Sequence, residues 1–182
     1  MLASEAWQIL ERAQVVHAEA AVAEAVERVA DEIQARLHDT LPLVLAVMGG
    51  GVVFAGQLLP KLRFPLEFDF IHVTRYRGTT SGGAVGWPVP PHVPLRGRTV
   101  LVIDDILDEG ATLAAVRDRF LAEGVAAFYA AVLCEKVLSR NKPIRADFVG
   151  VTVPDRYVFG CGMDVEGAWR NLPAIYALGE SP

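Results

Sequence analysis

The stretch TVLVIDDILDEGATL, residues 99–113, places four acidic residues between an apolar run and the start of a helix. Residues 99–103 predict a buried strand, and residues 112–123 predict the helix. In open parallel sheets, ligands bind at the carboxyl ends of strands, where loops and helix N-termini converge. Two adjacent carboxylates directly after a buried strand are costly unless something uses them. The stretch therefore predicts an α/β fold with a binding site at a strand end. The alternative is that the acidic residues only solvate the end of the strand and cap the next helix.

The rest of the chain repeats this alternation of apolar strands and helices. Strands are predicted at residues 43–47, 64–74, 126–134 and 147–151, and a helix at 52–62. One long helix is predicted over residues 4–38 because apolar residues recur there at three- and four-residue spacing. These residues are Val15, Val22, Val26, Val29, Ile33 and Leu37. A mainly parallel central sheet flanked by helices follows, in a single domain without repeats or linkers.

The net charge, apolar content and cysteine count of the chain argue against several classes of function. The 182 residues carry a net charge of −5 and 52% apolar residues, so we expect no nucleic-acid partner and no attraction to anionic membranes. The two cysteines predict neither a disulfide framework nor a zinc site, which favours a reducing cytoplasm. We expect no secretory signal and no membrane span.

Residues 100–112, VLVIDDILDEGAT, closely resemble the phosphoribosyl pyrophosphate motif of type I phosphoribosyltransferases. That motif has a hydrophobic strand, two acids, two aliphatic residues, then Asp, a variable residue, Gly, a variable residue and Thr. The resemblance implies that Asp104 and Asp105 bind ribose hydroxyls, with a phosphate held by the turn after them. Residues of that turn are Glu109, Gly110, Ala111 and Thr112. Many members have Thr or Ser where this chain has Glu109, so its carboxylate is expected to point away from the phosphate.

The glycines at 49–51 resemble the pyrophosphate loop of the same family, in which a non-proline cis peptide often occurs. Gly49 and Gly50 would let the backbone approach an anion closely; a simple tight strand-to-helix turn is the alternative. Relatives often carry Lys where this chain has Met48. The segment RYRGTTSGG, residues 75–83, resembles the family's mobile lid, with Arg75 and Tyr76 as substrate-binding residues; a surface loop without a catalytic part is the alternative.

The tail identifies the subfamily. Residues 154–164, PDRYVFGCGMD, and 169–173, WRNLP, are similar to the C-terminal segment of hypoxanthine-guanine phosphoribosyltransferases. The likeness implies that Lys136 donates to purine O6, Tyr157 stacks on the base and the Val158 backbone bonds its edge. Asp164 would bind Mg²⁺ together with Asp104 and Asp105, and Arg170 would bind pyrophosphate. Taken singly, Lys136 and Arg170 resemble surface residues and Tyr157 resembles a core residue.

The resemblance implies a magnesium-dependent purine salvage enzyme that makes IMP or GMP, with Asp108 and Arg170 as catalytic residues and Asp108 as general base. It predicts one domain over residues 1–182: an N-terminal helix in 1–40, a core in 43–152 and a base-binding hood in 153–182, with the N-terminal segment contributing to the hood. A homodimer or homotetramer is expected. Two alternatives stay open: activity on xanthine and guanine, and a non-catalytic nucleotide-sensing regulator, which usually needs a basic face.

Overall fold

The computed structural model describes residues 1–75 and 85–179, with the side chain of Arg75 left aside. Within these ranges, six strands form one sheet in the order β4-β3-β2-β5-β6-β7. They are β2 Leu43–Met48, β3 Glu67–Arg75, β4 Val85–Val89, β5 Thr99–Leu107, β6 Ala127–Lys136 and β7 Phe148–Val153. Only the pair of β3 and β4 is antiparallel among these neighbours. The predicted mainly parallel sheet is confirmed.

Three helices cover the two faces of this sheet: α2 Glu19–Leu37, α3 Gly51–Leu58 with a 3-10 turn Leu59–Lys61, and α4 Ala111–Ala122. The first helix, α1 Ala3–Arg12, has no buried residue and contacts Trp169 of the C-terminal segment through Trp7. Alternate residues of β2 and β5 belong to two separate apolar clusters: Val44 and Leu101 pack with α2 and α3, whereas Leu45 and Val102 pack with α4. Strands buried on both faces explain the nearly continuous apolar runs in the sequence.

A smaller sheet joins the two ends of the chain. It contains β1 Gln14–His17, β8 Val158–Phe159 and β9 Ile175–Ala177, in the antiparallel order β1-β9-β8. This sheet is the predicted hood built from the N- and C-terminal segments. Among the described residues, no helix is both long and apolar enough to cross a membrane.

The single N-terminal helix predicted within residues 1–40 is wrong. The chain leaves the helical conformation at Ala13, whose ψ is 151°, and Gln14–His17 pairs with β9 before α2 begins at Glu19. Val15, predicted on the buried helix face, is 59% exposed, whereas the other five residues of that set are buried. The helical spacing of apolar residues is confirmed from Val22 onward, within α2. The strand β1 could not be predicted from this local pattern, because its partner β9 lies at the other end of the chain.

Two strands also differ from their predicted form. β5 continues four residues beyond the predicted end, because Ile106 and Leu107 stay in register with Cys134 and Glu135 of β6. Asp104 and Asp105 therefore lie within the strand rather than after it. The edge strand β4 was not predicted, since its sequence VGWPV contains Gly86 and Pro88, which are both unfavourable in strand interiors.

Candidate active site at the strand ends

The carboxyl ends of β2, β5 and β6 meet at one edge of the sheet, because these strands are parallel neighbours. The glycine triplet follows β2, the turn at residues 108–110 follows β5, and Lys136 is the last residue of β6. Asp104, Asp105, Asp108 and Lys136 are called the strand-end cluster below. The structure thus brings together three sequence segments that the motifs had identified separately.

The turn after β5 is shaped for an anion. Gly110 has φ +83°, a left-handed conformation that favours glycine, and it directly precedes α4. No side chain in the described ranges caps α4, so its first-turn N–H groups are not taken by a capping residue. Ala111 is the first residue of the helix, and the half-buried Thr112 lies in the same turn. A helix N-terminus behind a glycine turn is a favourable phosphate site.

Glu109, the acidic departure from the family motif, forms an ion pair with Arg140 in the connection between β6 and β7. Both side chains are largely exposed, and both line a cavity of about 430 Å³. Other residues lining this cavity are Asp108, Lys136, Leu138, Ser139 and Asp155. The negative charge introduced by Glu109 is therefore compensated locally.

The neighbouring carboxylates of Asp104 and Asp105 influence each other. The Asp105 N–H donates to Oδ1 of Asp104 over 2.9 Å. Burial, followed by the charge of Asp105, raises the pKa of Asp104 well above its usual range. Burial also raises the pKa of Asp105, although hydrogen bonds and the positive charge of Arg170 act in the opposite direction. The pair is therefore suited to a ligand that donates hydrogen bonds or brings positive charge.

The glycine triplet packs directly on this acid pair. A Cβ at position 50 would overlap the carboxylate of Asp105, so only glycine fits there without movement. Gly49 is exposed with no heavy atom within 4 Å of its hypothetical Cβ, and the peptide bond between Met48 and Gly49 is cis. An exposed backbone segment thus lies beside the carboxylates, as the pyrophosphate-loop interpretation requires.

Asp108 and Lys136, predicted to act separately, contact each other. Lys136 Nζ lies 2.8 Å from Asp108 Oδ2, and the lysine side chain is only 12% exposed whereas Asp108 is half exposed. The lysine is therefore not the solvated surface residue that composition alone would suggest. A ligand that reaches the cavity meets an ammonium group and a carboxylate side by side.

The remaining predicted residues lie in the C-terminal segment, where residues 160–171 form what we call the tail loop. Arg170 Nη2 lies 2.6 Å from Asp164 Oδ1, and Arg170 Nη1 donates to the carbonyl of Gly162 over 2.6 Å. The other oxygen of Asp164 accepts from the Gly167 N–H over 2.7 Å. A Cβ on Gly162 would overlap the carbonyl oxygen of Gly50, so the tail loop rests on the glycine triplet.

Tyr157 is 53% exposed, with its hydroxyl donating to the Asp164 carbonyl over 2.9 Å. An exposed, tethered ring is unlike the core residue that its apolar neighbours suggested, and it can offer a face for stacking. Val158 follows as a buried residue of β8. Arg75 ends β3, but its side chain and the whole of Tyr76 fall outside the described residues, as does the rest of the predicted lid.

The described residues contain no cluster of three or more His, Cys, Asp or Glu side chains suited to a metal ion. Asp104 and Asp105 still fit Mg²⁺, which commonly binds one or two carboxylates and takes its other ligands from substrate oxygens and water. Asp164 fits less directly, since both of its oxygens already accept contacts from Arg170 and Gly167.

Arg140 and Lys142 were not singled out from the sequence, yet both contact the site. Arg140 pairs with Glu109, and Lys142 donates to the Leu107 and Lys136 carbonyls. In the sequence, the only indication of these two residues was the basic stretch SRNK at residues 139–142. Such a stretch is typical of any solvated connection between strands.

Known phosphoribosyltransferases resemble this chain in sequence and in fold. The family model described as a phosphoribosyl transferase domain matches residues 13–166. A hypoxanthine-guanine phosphoribosyltransferase of Bacillus subtilis is 33% identical over 165 residues, covering 90% of this chain and 92% of its own. A hypoxanthine-guanine-xanthine phosphoribosyltransferase of Tritrichomonas foetus is 32% identical over 157 residues, covering 86% of each chain. A hypoxanthine phosphoribosyltransferase structure from Staphylococcus aureus superimposes with a TM-score of 0.86 at 26% identity, covering 93% of this chain and 94% of that one.

Proposed function

Because this chain belongs to the phosphoribosyltransferase family, we propose that it transfers the 5-phosphoribosyl group of phosphoribosyl pyrophosphate to hypoxanthine or guanine, giving IMP or GMP and pyrophosphate. The observation that carries the proposal is the meeting of a phosphate-type turn, two carboxylates and the Lys136–Asp108 pair at one edge of the sheet. Relatives named for this reaction match nearly the whole chain.

The activated sugar would bind along β5 and the turn after it. The 5′-phosphate would accept from the turn at Gly110 and from the first N–H groups of α4, helped by the hydroxyl of Thr112. The Asp104 and Asp105 carboxylates would accept hydrogen bonds from the two ribose hydroxyls. The pyrophosphate would lie between the glycine triplet and Arg170, whose planar guanidinium can bind two oxygens at once.

The purine would enter the cavity that contains Lys136. Its ammonium can donate to a carbonyl at C6, but it matches poorly the 6-amino group of adenine, which is itself a donor. The exposed ring of Tyr157 would stack on the base, and the backbone of Val158 would bond its edge. Asp108, which contacts Lys136, would accept the proton that the purine loses.

In the reaction, the bond from ribose C1′ to pyrophosphate breaks and the bond from C1′ to purine N9 forms, with inversion. The purine proton passes to Asp108 as general base. Arg170 would stabilise the charge that develops on the leaving pyrophosphate, an electrostatic contribution of several kcal/mol in comparable sites. Bound magnesium, held by Asp104 and Asp105 with Asp164 nearby, would add positive charge at the same oxygens.

A second candidate is the same reaction with xanthine. It is favoured by relatives named hypoxanthine-guanine-xanthine phosphoribosyltransferases. Lys136 would recognise the C6 carbonyl of any 6-oxopurine, and the described site contains no feature that separates substituents at C2. A cytoplasmic location, a homodimer or homotetramer, and a lid at residues 75–83 remain predictions.

The test is a panel of four bases, hypoxanthine, guanine, xanthine and adenine, each with phosphoribosyl pyrophosphate and Mg²⁺, with pyrophosphate release as the readout. We expect turnover with hypoxanthine and guanine, none with adenine, and no turnover after chelation of Mg²⁺. Lys136→Met is the matched variant, in which oxopurine turnover should fall sharply. A protein that binds phosphoribosyl pyrophosphate but turns over no base would be a regulator and would contradict the proposal.

A further inference from the structure

A nearly buried lysine in the connection between β6 and β7 holds the ends of two strands together. The side chain of Lys142 is only 9% exposed. Its Nζ donates to the Leu107 carbonyl over 2.8 Å and to the Lys136 carbonyl over 2.6 Å, and lies 3.3 Å from Oε1 of Glu135. An ammonium group has three hydrogens, so these contacts use its full donor capacity.

The two carbonyls that Lys142 contacts belong to the last residues of β5 and β6. Where a ladder ends, the carbonyls of its terminal residues lose their regular strand partners and need other donors. The Lys142 ammonium group donates to both of these carbonyls, beside the point where Leu107 and Glu135 are paired across β5 and β6. It therefore fixes how far apart the two strand ends lie.

Those strand ends carry the pair with which the purine would interact. Asp108 directly follows Leu107, and Lys136 itself provides one of the carbonyls. The contact between Lys136 Nζ and Asp108 Oδ2 is 2.8 Å, so a shift of either strand end changes this distance. In the described part of the chain, Lys142 Nζ contacts the Leu107 and Lys136 carbonyls and Glu135 Oε1, so it acts on the side chains of Asp108 and Lys136 through the backbone.

The residues after Lys142 support the neighbouring phosphate turn. A Cβ on Gly110 would lie 3.2 Å from Ile144 and 3.4 Å from Pro143, so both residues pack against the turn. Arg117 of α4 donates to the Pro143 carbonyl over 3.4 Å. The segment that carries Lys142 is thus anchored at the phosphate turn as well as at the strand ends.

We infer that Lys142 is a positioning residue, which sets the geometry of Asp108 and Lys136 for the base and couples it to the phosphate turn. The inference rests on the proposed function, because that function gives Asp108 and Lys136 their roles. Misplacement of reacting groups by about 1 Å can cost about a hundredfold in rate, so a backbone clamp of this kind has a measurable effect.

The test compares Lys142→Met with two matched variants. Glu135→Gln removes the carboxylate but leaves both carbonyl contacts, and Lys61→Met removes a lysine whose partner is Glu27, outside the site. We expect kcat/KM for hypoxanthine to fall about tenfold to a hundredfold in Lys142→Met, mostly through kcat. Glu135→Gln should stay within about twofold of the wild type, because it keeps an oxygen acceptor near Lys142 and both carbonyl contacts. Lys61→Met should do the same, because it removes only a surface ion pair outside the site.

Hydrogen exchange separates this role from a general loss of stability and does not depend on activity. Amides in residues 104–112 and 134–140 should exchange faster in Lys142→Met, whereas those in residues 43–48 should not change. A folded Lys142→Met protein with wild-type kinetics and exchange overturns the inference, as does an equal loss in all three variants. If Lys142→Met does not fold, Lys142→Gln replaces it: lost activity supports the inference, and wild-type activity overturns it.

The two proposals can fail independently. If the wild-type protein transfers the phosphoribosyl group to none of the four bases, the proposed function is wrong. Hydrogen exchange in Lys142→Met then still tests whether Lys142 holds the ends of β5 and β6 together. If the wild type is active but Lys142→Met behaves like it in both assays, only the inference about Lys142 is wrong.

Discussion

The strand-end cluster and the tail loop both bring charged groups to the site, but different contacts hold them. The strand-end cluster sits on β5 and β6, which share an uninterrupted parallel ladder and two buried faces. The tail loop has no long element of its own; glycine contacts and the Asp164–Arg170 pair fix its shape. Under the proposed function, the strands would carry the groups for the sugar and Lys136 for the base, whereas a loop held by a few specific contacts would carry Arg170 for the leaving group.

The comparison predicts that substitutions in the strand-end cluster change chemistry without changing the fold. Asp108→Asn keeps the size of the side chain but removes the base, so kcat should fall by about two to four orders of magnitude. Binding of phosphoribosyl pyrophosphate, measured by calorimetry, should stay near the wild-type value. Lys61→Met serves as the control for a lost surface ion pair. Near-normal turnover would show that Asp108 is not the general base.

In the tail loop, by contrast, a single methyl group should disturb structure and function together. Gly162→Ala introduces a Cβ that overlaps the Gly50 carbonyl oxygen, at a residue with φ +105°. We expect a loss of about 2–4 kcal/mol in the free energy of unfolding, together with weaker pyrophosphate binding.

The matched control is Gly167→Ala in the same loop. Its φ is +87°, but its hypothetical Cβ has no heavy atom within 4 Å, so only the backbone cost of about 1 kcal/mol should appear. Denaturant unfolding and pyrophosphate titration of both variants measure the difference. Equal effects of the two substitutions would contradict the close packing of the tail loop on the glycine triplet.

A smaller effect is expected at Glu109, where the sequence of the phosphate turn differs from the family motif. Arg140→Ala leaves the Glu109 carboxylate without this cation beside the bound phosphate, so KM for phosphoribosyl pyrophosphate should rise about fivefold. Adding Glu109→Thr should restore the wild-type KM, because the repelling charge is removed.

Arg145→Ala, which removes an equal charge from the same connection, is the control for a general electrostatic effect. A double-mutant cycle in KM measures the coupling between Glu109 and Arg140. Additive effects of the two substitutions would mean that the ion pair has no part in phosphate binding.

The smallest predicted effect concerns the stability of the acid pair. The folded-state pKa of Asp104 is raised, so ionisation costs more in the folded chain than in the unfolded one. The stability associated with this group is therefore complete below about pH 4, the ordinary Asp pKa, and decreases as the pH rises toward the folded-state value.

Asp104→Asn removes this cost. It should raise the Tm of the ligand-free protein at pH 7, while weakening sugar binding. The gain should disappear near pH 3, where most of the unfolded Asp is also protonated. Thermal unfolding at both pH values is the measurement, and a pH-independent gain would contradict the raised pKa.

Much of the scaffold followed from local sequence patterns. The apolar runs of β2, β5 and β6, the helix after Gly110 and the family motifs were sufficient for the fold class and the family, both of which are confirmed. The single N-terminal helix was wrong and β4 was missed, because both β1 and β4 depend on partners that no local pattern contains. The individual site roles stay predictions, although the structure brings the strand-end cluster, the glycine triplet and the tail loop together.

The sequence alone determined the residue types of the site and most of the strands and turns that carry them, because burial periodicity and glycine requirements act locally. Only the tertiary structure decided that Lys136 contacts Asp108, that Arg140 compensates Glu109 and that Lys142 joins the ends of β5 and β6. Each of these contacts links residues from different elements. Their distances are set by packing of the whole sheet, and no spacing along the chain encodes them.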